Sequence, residues 1–231
     1  MEAKLISLFH LENIFVQLPG FCMFRQKIMK MGNHWDIRYA TTEYIYGTEP
    51  NFYFKNFIDR HEPGKILLPC EGEGRNAVYA ALRGWQVDAF DTSTEGRKKA
   101  LKLAAEKGVE INYFLHDVFD TNGFEADYDA VALIFAHLHS SNRRRVHRYF
   151  SGLIKDGGFI VLNAFAKEQL PLNTGGPKDI EMLYHVEEIR EDFNTLHILE
   201  LVQKKIQLDE GNLHSGWSEN ILFLAQKSDA I

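Results

Sequence analysis

The chain has little of several things, and each scarcity excludes a class of protein. Its 231 residues include two cysteines, Cys22 and Cys70. Two are too few for a disulfide framework and lack metal-ligand spacing, so the expectation is a reducing, cytoplasmic compartment and no metal. Basic residues are in deficit: 26 Lys and Arg stand against 32 Asp and Glu, for a net charge of −6. A nucleic-acid surface wants the opposite balance. No apolar run approaches the roughly 20 residues of a membrane helix. The patches from Leu5 to Phe9 and Ile14 to Met23 are interrupted by Glu12 and Pro19, and no small-residue cleavage site follows. Neither a secretory signal nor a membrane segment is read there. The ten histidines are scattered, with His137 and His139 the one close pair. There is no internal repeat and no low-complexity tract.

What is there reads as a soluble globular domain. Apolar residues make up 45% and charged residues 25%, enough for one large domain with or without an appendage. Residues 1–30 lack a clear period and are expected to form an N-terminal extension. Beyond them Pro50 enters a short helical face carrying Phe52, Phe54, Phe57 and Ile58. Strands are expected over 66–68, 86–90, 111–115, 128–135 and 159–165, and helices over 75–82, 94–107 and 141–154. A helix between residues 115 and 128 is left open. Strands alternating with helices mean a parallel sheet covered on both faces. The end differs: a helix over 186–193 precedes strands over 197–207 and 219–226 with no helix between them. The expected fold class is therefore α/β, a doubly wound, mostly parallel seven-stranded sheet ending in an antiparallel hairpin.

The chemistry concentrates after the first strand. Ile66-Leu67-Leu68-Pro69-Cys70 runs into Glu71-Gly72-Glu73-Gly74-Arg75-Asn76-Ala77, and the second strand ends at Asp91. Glycines at a strand-to-helix turn let backbone approach a ligand closely, and an acid at the tip of the next strand accepts hydrogen bonds from a ribose. Gly72 and Gly74 are read as that turn and Asp91 as the ribose acid, a role compatible with capping the next helix. The pattern fits an adenosine-containing cofactor, and both NAD and S-adenosylmethionine present adenosine to such a site. Three features favour S-adenosylmethionine. About 60 aromatic and polar residues precede the first strand. His116-Asp117-Val118 follows the third, where an acid meets an adenine amine or stays a solvated loop residue. The chain closes with a hairpin. Glu71 either holds an ammonium or pairs with a neighbouring arginine.

Together with Trp35-Asp36-Ile37-Arg38-Tyr39, Tyr46-Gly47-Thr48-Glu49-Pro50, Phe90-Asp91-Thr92-Ser93 and Gly175-Gly176-Pro177, these segments carry a resemblance. From residue 34 to about 227 the chain resembles the class I S-adenosylmethionine-dependent methyltransferases. Within them it resembles the branch of tellurite-resistance and thiopurine-methyltransferase-like enzymes. The resemblance implies a Rossmann-like methyltransferase domain over 31–231 with an N-terminal lid over 31–60. It implies cofactor contacts from Tyr46, Glu71, Gly72, Gly74, Arg75, Asn76, Asp91, Thr92, Asp117, Val118 and Phe135. Trp35, Arg38, Tyr39 and Gly47 belong to the lid or substrate side. His137, with a reference pKa near neutral, is the candidate general base; the alternative is a polar residue that merely finishes a strand. The sequence departs from the family at Leu68, where many members carry Asp, and at Cys70, where the first motif glycine is expected.

The resemblance thus implies methyl transfer to a small-molecule acceptor in a monomer or homodimer, without nucleic-acid or membrane partners. A soft sulfur, selenium or tellurium nucleophile suits the lack of an acid–base dyad. A non-catalytic S-adenosylmethionine-binding protein and an NAD-dependent oxidoreductase are the alternatives. Arg143, Arg144, Arg145 and Arg148 are read as a solvated helix face, and Arg190 and His214 as structural residues near the mouth.

Overall fold

The computed structural model describes residues 34–228 apart from residue 212. The extension over 1–30 and Cys22 lie outside the described residues. Residues 34–39 form a helical segment, α1. There follow α2 (Phe52–Ile58), β1 (Lys65–Pro69), α3 (Arg75–Leu82), β2 (Gln86–Asp91), α4 (Thr94–Lys107), β3 (Asn112–Leu115), β4 (Tyr128–Ile134), α5 (Ser140–Leu153), β5 (Ile154–Phe165), α6 (Val186–Asp192), β6 (His197–Asp209) and β7 (Ser215–Gln226).

Seven strands form one sheet in the order β3-β2-β1-β4-β5-β7-β6. The first five run parallel. β7 pairs antiparallel with both β5 and β6. This is the expected sheet with its terminal hairpin. Chain order reverses between β1 and β4, so the loops leaving their carboxyl ends diverge and open a crevice there. Two apolar cores flank the sheet. One centres on Leu67, Leu133, Phe150, Leu162 and Phe223, the other on Phe54, Ile66, Leu68, Ala89 and Val161. Adjacent residues of β1 thus feed opposite faces, and β4 is apolar throughout because both faces are covered.

The helices end where their local chemistry dictates. Ser93 caps α4 by accepting from the Gly96 amide at 3.0 Å, and Gly108 closes it in the left-handed region at φ 70°. Such caps contribute about 1 kcal/mol each. Asn51 caps α2, its side chain accepting from the Tyr53 and Phe54 amides.

One point the sequence left open and two departures from the sequence reading have physical causes. No helix forms between β3 and β4: Asp117 accepts from the Phe119 amide at 2.8 Å and Asp120 from the Asn122 amide at 3.2 Å, and such side-chain-to-backbone turns compete with helix. β5 begins at Ile154 rather than 159, because the Asp156-Gly157-Gly158 segment is accommodated as an irregularity inside the strand. The arginine run is not a solvated face at its start. Arg143 is 2% exposed and donates to the Leu183 carbonyl and to Glu188, each at 2.9 Å. Arg144 bonds Asp192 at 3.0 Å. Arg143 and Arg144 face α6, a partner that helical periodicity cannot disclose, while Arg145 and Arg148 are exposed as expected.

The same interface buries His147 completely, with Nδ1 2.9 Å from Asp192 Oδ2. Burial pushes the His147 imidazole below its usual range. Burial alone would raise the Asp192 carboxyl, but hydrogen bonds from His147 and Arg144 hold it below its ordinary value. Folding therefore expels a proton from His147. That contribution is complete above about pH 6.5, the unfolded value, and is lost as pH falls towards the folded one. Denaturant unfolding is expected to show lower stability at pH 5.5 than at pH 7.5, with the difference reduced in His147→Gln. An equally steep dependence in the variant contradicts this assignment.

Candidate functional site

The turn after β1 is built from three consecutive peculiarities. Cys70 adopts φ 56°, Gly72 φ 60° and Gly74 φ 88°. Only the glycines enter this region without strain; for Cys70 it costs about 1–2 kcal/mol. At Gly74 a Cβ would collide with Ala100 of α4, so only hydrogen fits there. Glu71 turns inward: its Oε1 accepts from the Asn76 and Ala77 amides, each at 2.8 Å. These are unpaired donors of the first turn of α3, where a carboxylate also meets the positive end of the helix. Burial nevertheless pushes the Glu71 carboxyl up to about 7. The acid missing from Leu68 is thus replaced by one three residues later, within the turn itself.

Asp91 sits beside this turn. Its Oδ2 accepts from the Gly72 amide at 3.1 Å and its Oδ1 from the Ser93 amide at 2.9 Å. The carboxylate is 8% exposed and, because of burial, lies above its ordinary pKa. A carboxylate offers about four lone-pair sites, so capacity remains for two further donors. Thr92 beside it is half-buried. Asp117 follows β3 and uses Oδ1 on the Phe119 amide, while Val118 packs into the core.

The segment before α2 packs against these groups. Asp36 Oδ1 accepts from Ser93 Oγ at 2.6 Å and the Glu95 amide at 3.1 Å, tying α1 to the start of α4. Tyr39 is buried against the turn: a Cβ on Gly72 would meet its hydroxyl at 2.6 Å. Trp35 stacks on Tyr39 with ring centroids 5.4 Å apart, and Arg38 lies 4.9 Å over Trp35. Arg38 also donates to the Tyr46 hydroxyl at 3.2 Å. The Gly47 amide closes a turn onto the Tyr44 carbonyl at 3.2 Å, with Gly47 at φ 69°. Glu73 accepts from the Ile45 amide at 2.8 Å and from Lys99 at 2.7 Å, anchoring the segment before α2 to the turn and α4.

Phe135 leaves β4 with φ 52°, an uncommon conformation for a bulky residue. It is held there because its amide donates to the Asn163 carbonyl at 2.7 Å. Its ring meets His214 at 4.5 Å and Phe165 at 4.7 Å, and Tyr46 covers His214 at 4.5 Å. His137 stacks on Phe165 at 5.4 Å. Its Nδ1 lies 3.1 Å from the Met182 carbonyl. A carbonyl only accepts, so Nδ1 carries the proton and Nε2, buried and without a partner among the described residues, keeps its lone pair. Burial pushes this imidazole down to about 3. His139, by contrast, is exposed and caps α5, and Arg190 reaches only Glu187. His214 lies inside the site; Arg190 does not.

Sequence reasoning missed Glu210, Asn51 and Asn163. Arg75 donates to the Tyr46 carbonyl at 3.0 Å and to Glu210 at 2.6 Å. Asn76 accepts from the Asn51 amide at 2.9 Å. The Asn51 side chain donates to Asn163 and to Glu210, each at 2.9 Å. In the sequence Asn51 merely follows Pro50 at the entrance of a short helical face, and nothing in the loop around Glu210 discloses a partner 135 residues away.

A family profile described as "Methyltransferase domain" matches residues 66–158. No curated protein matches the chain. Among solved structures, TehB from Haemophilus influenzae superposes with a TM-score of 0.65 at 18% identity, over 85% of this chain and 67% of that one. Magnesium protoporphyrin IX methyltransferase (ChlM) from Synechocystis PCC 6803, described with bound SAH, gives 0.61 at 15% identity over 90% and 99%. A SAM-dependent methyltransferase from Methanosarcina mazei gives 0.61 at 16% identity over 79% and 100%. The fold is a Rossmann-like methyltransferase fold, and S-adenosylmethionine is the cofactor it implies. Among the described residues no helix is long and apolar enough to cross a membrane, and no cluster of three or more His, Cys, Asp or Glu side chains is placed to hold a metal ion.

The residues present fit that cofactor. Asp91 keeps acceptor capacity for a ribose, and Glu71 is a buried carboxyl without a cationic partner within salt-bridge distance among the described residues. Because the folded pKa of Glu71, about 7, lies above the ordinary 4.5, folding opposes its ionisation. Stability is full below pH 4.5 and falls as pH rises towards 7. Thermal unfolding across this window should show Glu71→Gln gaining on the wild type as pH rises. Parallel pH profiles contradict the assignment.

Proposed function

We propose that the chain transfers the methyl group of S-adenosylmethionine to a small-molecule acceptor, and that the acceptor atom is a soft sulfur, selenium or tellurium nucleophile. The observation that carries this reading is Asp91, set beside the glycine turn at the sheet's switch point and roofed by an aromatic lid. When bound, the cofactor supplies an electrophilic methyl carbon on a positively charged sulfur. In this reading Asp91 accepts from the ribose hydroxyls, with Gly72, Gly74 and Thr92 lining the approach. Asp117 and Val118 meet the adenine. Glu71, in the turn before α3 and held by Asn76, balances the ammonium of the methionine portion, while Arg75, next to it, stays on Glu210.

The chain's own work is alignment and exclusion of water, which supplies roughly 7–11 kcal/mol in well-oriented reactions. Trp35, Arg38, Tyr39, Tyr46 and Gly47 form the cover. Phe135 and His137 face the acceptor, His137 through the unprotonated Nε2. An imidazole pushed down to about 3 accepts a hydrogen bond but is a weak base, and a soft nucleophile needs no stronger one. The branch is that of the tellurite-resistance and thiopurine-methyltransferase-like enzymes. The protein works in the cytoplasm as a monomer or homodimer.

Titration calorimetry with S-adenosylmethionine, S-adenosylhomocysteine and NAD tests the cofactor. Binding of the first two is expected; binding of NAD alone would end the reading in favour of an oxidoreductase. Asp91→Ala should weaken S-adenosylhomocysteine by about 10- to 100-fold, as expected for losing hydrogen bonds to a charged group. An unchanged affinity would mean the ribose lies elsewhere. A screen of thiols, amines and chalcogen oxyanions with labelled methyl donor should find turnover on a soft acceptor. Binding without any turnover would point instead to a non-catalytic S-adenosylmethionine-binding protein.

A further inference from the structure

The ion pair between Arg75 and Glu210 is dry, with side chains 9% and 10% exposed and 2.6 Å apart. It joins three separate parts of the molecule. Arg75 begins α3 directly after the glycine turn. Glu210 lies at the tip of the β6–β7 hairpin, where its amide donates to the His214 carbonyl at 2.8 Å. The third part is the lid, because the other guanidinium nitrogen of Arg75 donates to the Tyr46 carbonyl at 3.0 Å. The second oxygen of Glu210 accepts from Asn51 at 2.9 Å. Backbone meets backbone here too: a Cβ on Gly211 would collide with the Ile45 carbonyl and lie 2.8 Å from Tyr46 Cα. The Tyr46 ring rests on His214.

We propose that Glu210 is a positioning residue: it fixes Arg75 so that its guanidinium grips the Tyr46 carbonyl and holds the lid shut, making lid and hairpin tip close as one unit. Resting on the methyltransferase reading, this links cofactor capture to completion of the acceptor wall, since Tyr46 belongs to the lid and His214 to the hairpin. The physical reason for an ion pair here is its dependence on water. Apolar packing at this position would hold the hairpin equally well. A charge pair is strong while dry and weak once wetted, so the contact can release and re-form. Release is needed because Tyr39 lies on Gly72 in the closed state. The far end of the lid is anchored separately, by Asp36 on Ser93 and Glu95. Glu210 stays ionised throughout the physiological range: burial works against this, but His214 and Arg75 hold its carboxyl down at about 2. The clamp therefore responds to hydration rather than to pH.

Hydrogen–deuterium exchange on the full chain, with and without S-adenosylhomocysteine, tests this. In Glu210→Gln the amides over residues 41–47 should exchange about tenfold faster while those of β1 and β4 are unchanged, the signature of local opening. The double variant Arg75→Gln/Glu210→Gln leaves no buried unpaired charge, so it should recover thermal stability while keeping the fast lid exchange. Affinity for S-adenosylhomocysteine should fall about tenfold in both variants. Lid exchange that matches the wild type, or that rises only together with β4, overturns the proposal. A wild-type chain that binds no S-adenosylhomocysteine ends the methyltransferase reading instead, and the exchange of the free chain still decides the clamp.

Discussion

One carboxylate ties the two halves of the crevice together. Asp91 ends β2 and takes the amides of Gly72 and Ser93 at 3.1 and 2.9 Å. It thereby fixes the turn after β1 against the start of α4. Neither amide has another acceptor in the turn, and a buried donor left unpaired costs about 1–3 kcal/mol. The lid depends on the same arrangement, because Ser93 also donates to Asp36, and Tyr39 packs on Gly72. The acid proposed for the ribose is therefore also the acid that gives the turn its shape.

A second constraint is the density of buried polar groups around the sheet's carboxyl end. Asn51, Asn163 and Asn220 are fully buried and bonded in series: Asn51 to Asn163 at 2.9 Å, and Asn163 to Asn220 at 3.1 Å. The chain continues to Ser218 at 2.7 Å. It runs from the cap of α2 through β5 into β7. Every step has both donor and acceptor, so a slip in hairpin register would orphan several groups at once. Polar satisfaction adds to the apolar packing of Leu208 on Phe165 and Leu183 in setting where the hairpin comes to rest.

Much of this was legible in the sequence. The strands, the helices and the terminal hairpin follow from periodicity, with Ala100, Leu103 and Ala104 of α4 buried as its period predicts; Leu101, also expected inward, is exposed, as are Phe114 and Leu115 at the edge strand β3. Gly72 in the turn and the acid Asp91 lie 19 residues apart, and adjacent parallel strands bring such positions together. What stayed hidden depends on long-range partners. Arg143 looks like surface charge until α6 covers it. Arg75 looks available to a ligand until Glu210, 135 residues away, occupies it. His137 was legible as a strand-end residue, but its tautomer depends on the Met182 carbonyl, which only the folded loop supplies. Spacing along the chain reports local geometry, whereas pairing between remote polar groups is a property of the fold.

The most direct measurement is a crystal structure of the chain grown with S-adenosylhomocysteine. The account predicts density for the nucleoside in the crevice between β1 and β4, its ribose hydroxyls on Asp91 and its amino-acid end near Glu71. An empty crevice, or a nucleoside bound away from Asp91, would contradict it.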